Sequence, residues 1–133
     1  MKINKTTFYA LRMIYRIYVE EKVIITSREI AEKEKIPQGV SMKILSKLVR
    51  AGILKVYQGR GQVCGGFSLS KSINEITILE ILEIMEGMDI CKNLEVEFHK
   101  AGHHMLTKCI EFNESIKDIV SRYTIHDLFE SGI

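Results

Sequence analysis

Apolar residues recur at helical spacing from about Thr6 to Glu20, where Phe8, Leu11, Tyr15 and Tyr18 fall three or four positions apart and make one stripe. Thr6 or Thr7 can cap the first turn of that helix. A second amphipathic stretch opens at Thr26-Ser27-Arg28-Glu29, a hydroxyl followed three positions later by a carboxylate, which is the pattern of a capping box. It buries Ile30 and Ala31 and leaves Lys33 to Lys35 at its wet end. Ile36 and Pro37 make a turn, with proline tolerated at a helix start because its missing N–H would be unpaired there anyway. A third helix follows to about Ala51, with Gly52 as its C-terminal cap. Its apolar positions are Val40, Ile44, Leu45 and Leu48, and Gln38, Met42, Lys43 and Lys47 fall off that face.

The pattern then changes. Ile53 to Gln58 and Phe67 to Ser70 read as short strands, with Gly59, Gly61, Gly65 and Gly66 clustered between them in a turn that needs unusual backbone angles. Thr77 with Glu80 is another capping box, opening a helix through Met85 that Gly87 stops. The segment from Met88 to Met105 is ambiguous. A long helix from about Leu106 to Tyr123 carries Leu106, Ile110, Ile116, Val120 and Tyr123 on one stripe, and Thr124 to Phe129 makes a last short helix. The expected fold is mainly α with a small β-wing: a winged helix-turn-helix over residues 1–71, then a sensor loop and helical dimerisation region over 72–133. A long helix in so short a chain most economically packs against its copy in a second subunit.

Charge sharpens this division. The net charge of +2 hides 14 Lys/Arg against 5 Asp/Glu in residues 1–71 and 5 against 12 in residues 72–133. The helix-turn-helix half therefore has the basic footprint expected for a phosphate backbone, and the acidic half faces away from it. No apolar run approaches the ~20 residues a membrane span needs. Arg12 and Arg16 interrupt what would be a signal-peptide core, so a cytoplasmic chain is expected. Three cysteines, Cys64, Cys91 and Cys109, argue against a disulfide framework in that compartment and leave packing, metal ligation or redox sensing. No nucleophile–base pair or phosphate-cradling loop points to an enzyme. The clustered glycines sit between strands instead of opening a helix, unlike a dinucleotide-binding loop.

In a helix-turn-helix the second helix enters the major groove of double-stranded DNA and its early residues meet base edges. Here those residues are Gln38, Gly39, Met42 and Lys43. Gln can hydrogen-bond adenine, Lys can donate to guanine, and Met offers an apolar surface to a thymine methyl. Ser27, Arg28, Lys47 and Arg50 are better placed for phosphates. Arg60, at the tip between the strands, has the length and charge to enter a narrow minor groove. Action mainly through a protein partner is the different-class alternative.

Several of these pieces together resemble the winged-helix transcription regulators of the Rrf family. They are Tyr9-Ala10-Leu11-Arg12, the REIAEKEKIP turn, the ILSKLVRAGIL helix end, Arg60-Gly61 followed by Gly65-Gly66-Phe67, and ITILEILEIMEG. The wing departs from the family pattern by one extra residue between Arg60-Gly61 and Gly65-Gly66. The resemblance implies a homodimer on a palindromic operator, most simply a repressor, with the long C-terminal helix at the dimer interface. It also implies a sensor, because many members hold an iron–sulfur cluster on three cysteines after the ITILEILEIMEG-type helix. Here Cys91 fits the first position, the middle cysteine has no counterpart, and Cys109 lies four residues beyond the region of the third. Three readings follow: a mixed-ligand [2Fe–2S] cluster on Cys91 and Cys109 with His or carboxylate ligands, a mononuclear metal on a row containing His99 and His103, or a decayed site. Cys64, in the wing near Arg60, is a candidate redox thiol, because nearby positive charge lowers a thiol's pKa.

Overall fold

The computed structural model describes residues 3–20, 24–59, 64–87 and 102–130, and excludes the side chains of Cys64, His103 and Leu106. Helix α1 spans Lys5–Val19 and has two apolar faces. Ala10, Met13, Ile14 and Ile17 are buried, together with the Thr7 hydroxyl. The stripe read from the sequence lies on the opposite side: Phe8 is 52% exposed, Tyr15 42% and Tyr18 38%. Both stripes satisfy helical spacing, and the flatter, aliphatic one packs inward. Neither threonine caps the helix. Its N-cap is Asn4, which makes no side-chain cap bond. Instead the Glu86 carboxylate accepts hydrogen bonds from the Asn4 N–H at 2.8 Å and from the Thr7 hydroxyl. A charge from a distant helix thus meets the positive end of α1.

Helix α2 spans Ser27–Glu34 and α3 spans Gln38–Arg50. At the start of α2 the Thr26 hydroxyl accepts from the Glu29 N–H at 3.1 Å and donates to the Glu29 carboxylate at 3.1 Å. The chain turns into α3 through Lys35, which adopts a left-handed φ of 55° and lets the Ile36 N–H reach the Ala31 carbonyl at 3.0 Å. The end of α3 is a Schellman cap. There the Ile53 N–H bonds the Leu48 carbonyl at 2.9 Å and the Gly52 N–H bonds Val49 at 3.0 Å. Ile30 from α2 and Leu45 and Leu48 from α3 are fully buried beside the inner face of α1. Burial of one such aliphatic side chain contributes about 1.5–3 kcal/mol.

Strand β1 spans Leu54–Gln58 and pairs antiparallel with β2, Cys64–Leu69. The second strand starts earlier than its apolar residues suggest, so Gly65 and Gly66 belong to it and not to the turn. Tyr57 stands opposite Gly66 and Gln58 opposite Cys64, which leaves Gly65 as a bulge. Ile25 bridges the other side of β2 through two hydrogen bonds with Phe67, of 3.1 and 2.8 Å. Gly66 has φ +123°, and a Cβ there would come within 2.8 Å of the Ile25 carbonyl oxygen. That close approach, not the turn, is what requires glycine.

Helix α4 spans Ile78–Glu86, α5 spans His103–Val120 and α6 spans Ile125–Phe129. Thr77 and Thr124 each close a full capping box. The two box segments pair with each other: the Ile78 N–H bonds the Tyr123 carbonyl at 2.9 Å and the Ile125 N–H bonds Ile76 at 2.8 Å. Ile73, Ile76, Ile81 and Ile125 join the same core as α1 to α3. No helix among the described residues is long and apolar enough to cross a membrane.

Candidate nucleic-acid interface

The first turns of α2 and α3 lie side by side. The Gln38 side-chain amide donates to the Ser27 hydroxyl at 3.3 Å, which ties the two helix starts together. Arg28, Glu32 and Gln38 rim a shallow groove between them over Ala31 and Ile36. The first turn of α3 carries no acidic residue and its N-cap Pro37 supplies no side-chain cap, so neither meets the positive end of this helix. A Cβ at exposed Gly39 would meet nothing within 4 Å, so this position lets another molecule approach the backbone.

Charge pairing separates two groups of cations. On the back of the motif, Arg12 and Arg16 both hold the Glu34 carboxylate, at 3.2 and 2.7 Å, and Lys33 pairs with Glu20 at 2.7 Å. The Glu34 side chain is only 11% exposed, and Arg12 also donates to the Glu34 carbonyl. These contacts fasten α2 to α1. On the front, Arg28, Lys43, Lys47 and Arg50 are exposed, and none is in an ion pair among the described residues. Exposed cations with no ion pair among the described residues suit a surface that meets phosphates.

A second groove, of about 620 Å³, runs along α3. Lys43, Lys47 and Arg50 line it together with Met42, and Thr6 and Met85 form the far side. Met42 is 43% exposed. The candidate residues thus line two grooves: Arg28 and Gln38 the one between the helix starts, and Met42, Lys43, Lys47 and Arg50 the one along α3. Arg60 lies outside the described residues. The wing's described part presents Lys55 and Tyr57 outward, with the Ser68 and Tyr57 hydroxyls 3.3 Å apart. Sequence reasoning missed the Glu34 clamp and the Glu86 cap. The four-residue step from Arg12 to Arg16 was the only available signal for the first. The second joins residues 82 positions apart and had no local signal.

The sensor candidates fare differently. Cys91 and His99 lie outside the described residues, as do the side chains of His103 and Cys64. Cys109 is buried at 5% exposure on α5, and its sulfur is in a disulfide bond. Among the described residues no three His, Cys, Asp or Glu side chains converge on a point that could hold a metal. A disulfide sulfur is not the anionic thiolate an iron–sulfur cluster takes as ligand, so the described residues do not by themselves fit such a group.

Comparison with known proteins places this arrangement. A family model described as Rrf2, iron-dependent transcriptional regulator, matches residues 3–131. A protein of Aquifex aeolicus, provisionally named an HTH-type transcriptional regulator, is 29% identical over 96% of this chain and 91% of its own length. Among solved structures, the oxidised form of CymR from Staphylococcus aureus superposes with a TM-score of 0.70 at 23% identity, covering 98% of this chain and 97% of that one. CymR of B. subtilis, described as its global cysteine regulator, gives 0.69 at 21% identity over 100% and 99%. IscR of T. potens gives 0.65 at 18% identity over 98% and 88%. These likenesses are to regulators of transcription and not to enzymes. The chain belongs to the Rrf2 family of winged-helix transcriptional regulators.

Proposed function

We propose that this chain is a homodimeric repressor that binds a palindromic DNA operator from the cytoplasm, under the control of a redox or metal signal read near Cys91 and Cys109. Residues 1–71 bind DNA, and residues 72–133 carry dimerisation and sensing. Gln38, Gly39, Met42 and Lys43 meet base edges, Ser27, Arg28, Lys47 and Arg50 hold phosphates, and Arg60 enters the minor groove beside the wing. The observation that carries this reading is that Arg28, at the joined starts of α2 and α3, and Lys43, Lys47 and Arg50, along α3, are exposed and in no ion pair among the described residues. Binding to a duplex measured across salt concentrations tests it. The expected result is a log–log slope of several units, because each neutralised phosphate releases counterions. A flat salt dependence would instead support a protein adaptor.

Thiol oxidation, a mixed-ligand [2Fe–2S] cluster and a mononuclear metal are the candidate signals, and the oxidised Cys109 sulfur agrees with the first. Each of these signals regulates only if it binds or forms better in one arrangement of the two DNA heads than in the other. Purification without oxygen, followed by a visible spectrum and assays of iron and acid-labile sulfide, separates the readings. A colourless protein whose DNA affinity changes with a thiol reductant supports thiol control. Visible charge-transfer bands with matched iron and sulfide would overturn it in favour of the cluster.

A further inference from the structure

The Glu86 carboxylate joins the two halves of the chain on either side of residue 71. It ends α4, and it accepts hydrogen bonds from the Asn4 N–H at 2.8 Å and from the Thr7 hydroxyl, both at the start of α1. Thr7 is 1% exposed, so its hydroxyl would be left without a partner if that acceptor moved away. Glu86 is half-buried and in no ion pair among the described residues. Thr7 also begins the inner stripe of α1, followed at helical steps by Ala10, Ile14 and Ile17. That stripe shares one core with Ile44, Leu45 and Leu48 of α3. Thr6 and Met85, the chain neighbours of the two bonded side chains, form the far side of the groove along α3, with Met42, Lys43, Lys47 and Arg50 also lining it. One carboxylate therefore holds together the wall that faces α3.

We propose that Glu86 is a positioning residue for DNA recognition: by tying the end of α4 to the start of α1, it seats α3. This rests on the DNA-binding reading, and it gives residues 72–133 a direct hold on the helix that meets base edges. The Glu86 carboxylate is engaged by α1 and the Thr7 hydroxyl is buried, so both act on DNA through α3 and not by contact. The effect is on populations. With the bonds made, α1 and α4 keep one arrangement against α3. Without them, the arrangement that DNA selects becomes a fraction of the whole, and affinity falls by that fraction. Phosphate contacts from Lys47 or Arg50 carry no sequence information, whereas base-edge contacts from Gln38 or Lys43 do and need closer placement. The loss therefore falls on sequence-specific binding. The link also has a direction. Gly87, at a left-handed φ of 63°, caps α4 directly after Glu86, and Cys91 follows five positions after Glu86 in the sequence. A change read near Cys91 that shifts the end of α4 would reach α3 through these bonds.

DNA binding by Glu86→Ala, Thr7→Val and the double variant tests this, at a temperature where circular dichroism shows each folded. The probes are a duplex selected by the parent chain from a random pool and a duplex of the same composition with its sequence shuffled. Glu86→Ala is expected to weaken binding to the selected duplex by about tenfold, the scale of one buried group left unsatisfied. Binding to the shuffled duplex and its salt slope should stay parental, because no cation is removed. Thr7→Val should act in the same direction, and the double variant should lose no more than Glu86→Ala alone, since both remove one link. Thr7→Ser, which keeps the hydroxyl, should bind like the parent. Lower thermal midpoints with parental affinity for the selected duplex would overturn the inference and leave Glu86 a stabilising cap only. Affinities that rise together for both duplexes would also overturn it, since removal of a repelling charge would explain them. Should Glu86→Ala not fold, Thr7→Val against Thr7→Ser decides, and parental affinity in Thr7→Val overturns the proposal. A parent chain that selects no duplex defeats the DNA-binding reading itself.

Discussion

Helices α3 and α5 are both amphipathic and both leave one face uncovered, yet the two uncovered faces differ in kind. That of α3 carries Gln38, Lys43, Lys47 and Arg50, with Met42 as its one large apolar side chain. That of α5 carries Met105, Phe112 and Ile119. The first can stay hydrated until a polyanion arrives, and its binding is driven by counterion release, which salt reverses. The second is an apolar stripe that gains by leaving water, and salt does little to weaken such a contact. Exposure alone would rank the two faces alike. The chemistry of the exposed atoms suits one to nucleic acid and the other to protein, as proposed above.

The largest expected effect tests whether the wing can be removed without touching either face. Gly66→Ala puts a Cβ against the Ile25 backbone at a φ that alanine resists, and should cost about 1–3 kcal/mol of stability, read as a lower thermal midpoint. Its DNA affinity should fall with the wing, while dimerisation through α5 persists. Loss of both together would mean that the two regions are not separable.

An intermediate effect sharpens the comparison. Lys47→Ala and Arg50→Ala should each reduce the salt slope of DNA binding by about one unit and weaken binding to all duplexes alike. Neither should alter the sedimentation behaviour. A changed dimer constant in either variant would place these cations at the protein interface and not on DNA.

The smallest effect concerns Tyr18, at the edge of the α1 face. Its phenol pKa is raised above the ordinary 10.0, first by its hydrogen bond to the Glu130 carboxylate, then by desolvation and by the negative charge beside it. The raised value means that the contact stabilises the fold fully below pH 10, and that this contribution is lost as pH rises through the higher folded value. An ultraviolet titration should show one tyrosine ionising later than expected, and Tyr18→Phe should remove that late step. An unchanged titration would mean that the Tyr18–Glu130 contact does not form in solution.

How much of this was legible in the sequence depended on the range of each interaction. The caps at Thr26 and Thr77 and the stop at Gly52 are local, and all lie where a three-residue spacing or a glycine puts them. The inward face of α3 was readable except for Ser41, a fully buried polar residue whose hydroxyl has no hydrogen-bond partner among the described residues. Spacing alone could not decide which stripe of α1 faces the core, because Phe8-Leu11-Tyr15-Tyr18 and Ala10-Met13-Ile14-Ile17 are both helical stripes. Long-range partners decided it. The start of β2 was misplaced for a related reason: Gly65 and Gly66 look like turn residues until Ile25 is known to pass beside them. The candidate contact residues on α2 and α3 were named from the helix-turn-helix motif, and the structure gives those two helices and their joined starts. Of the candidate sensor ligands, Cys91 was named from a family pattern this chain only partly keeps and His99 from its four-residue spacing to His103, and both lie outside the described residues.

The central claim is that α3 reads DNA while α5 pairs the heads, and hydroxyl-radical footprinting of the protein on duplexes selected from a random pool tests it most directly. The account predicts two related, inverted half-sites whose centres lie about 10–10.5 base pairs apart or a multiple of that, protected together at one protein concentration. Protection of a single half-site by a monomer, or selection of no common sequence at any salt concentration, would contradict it.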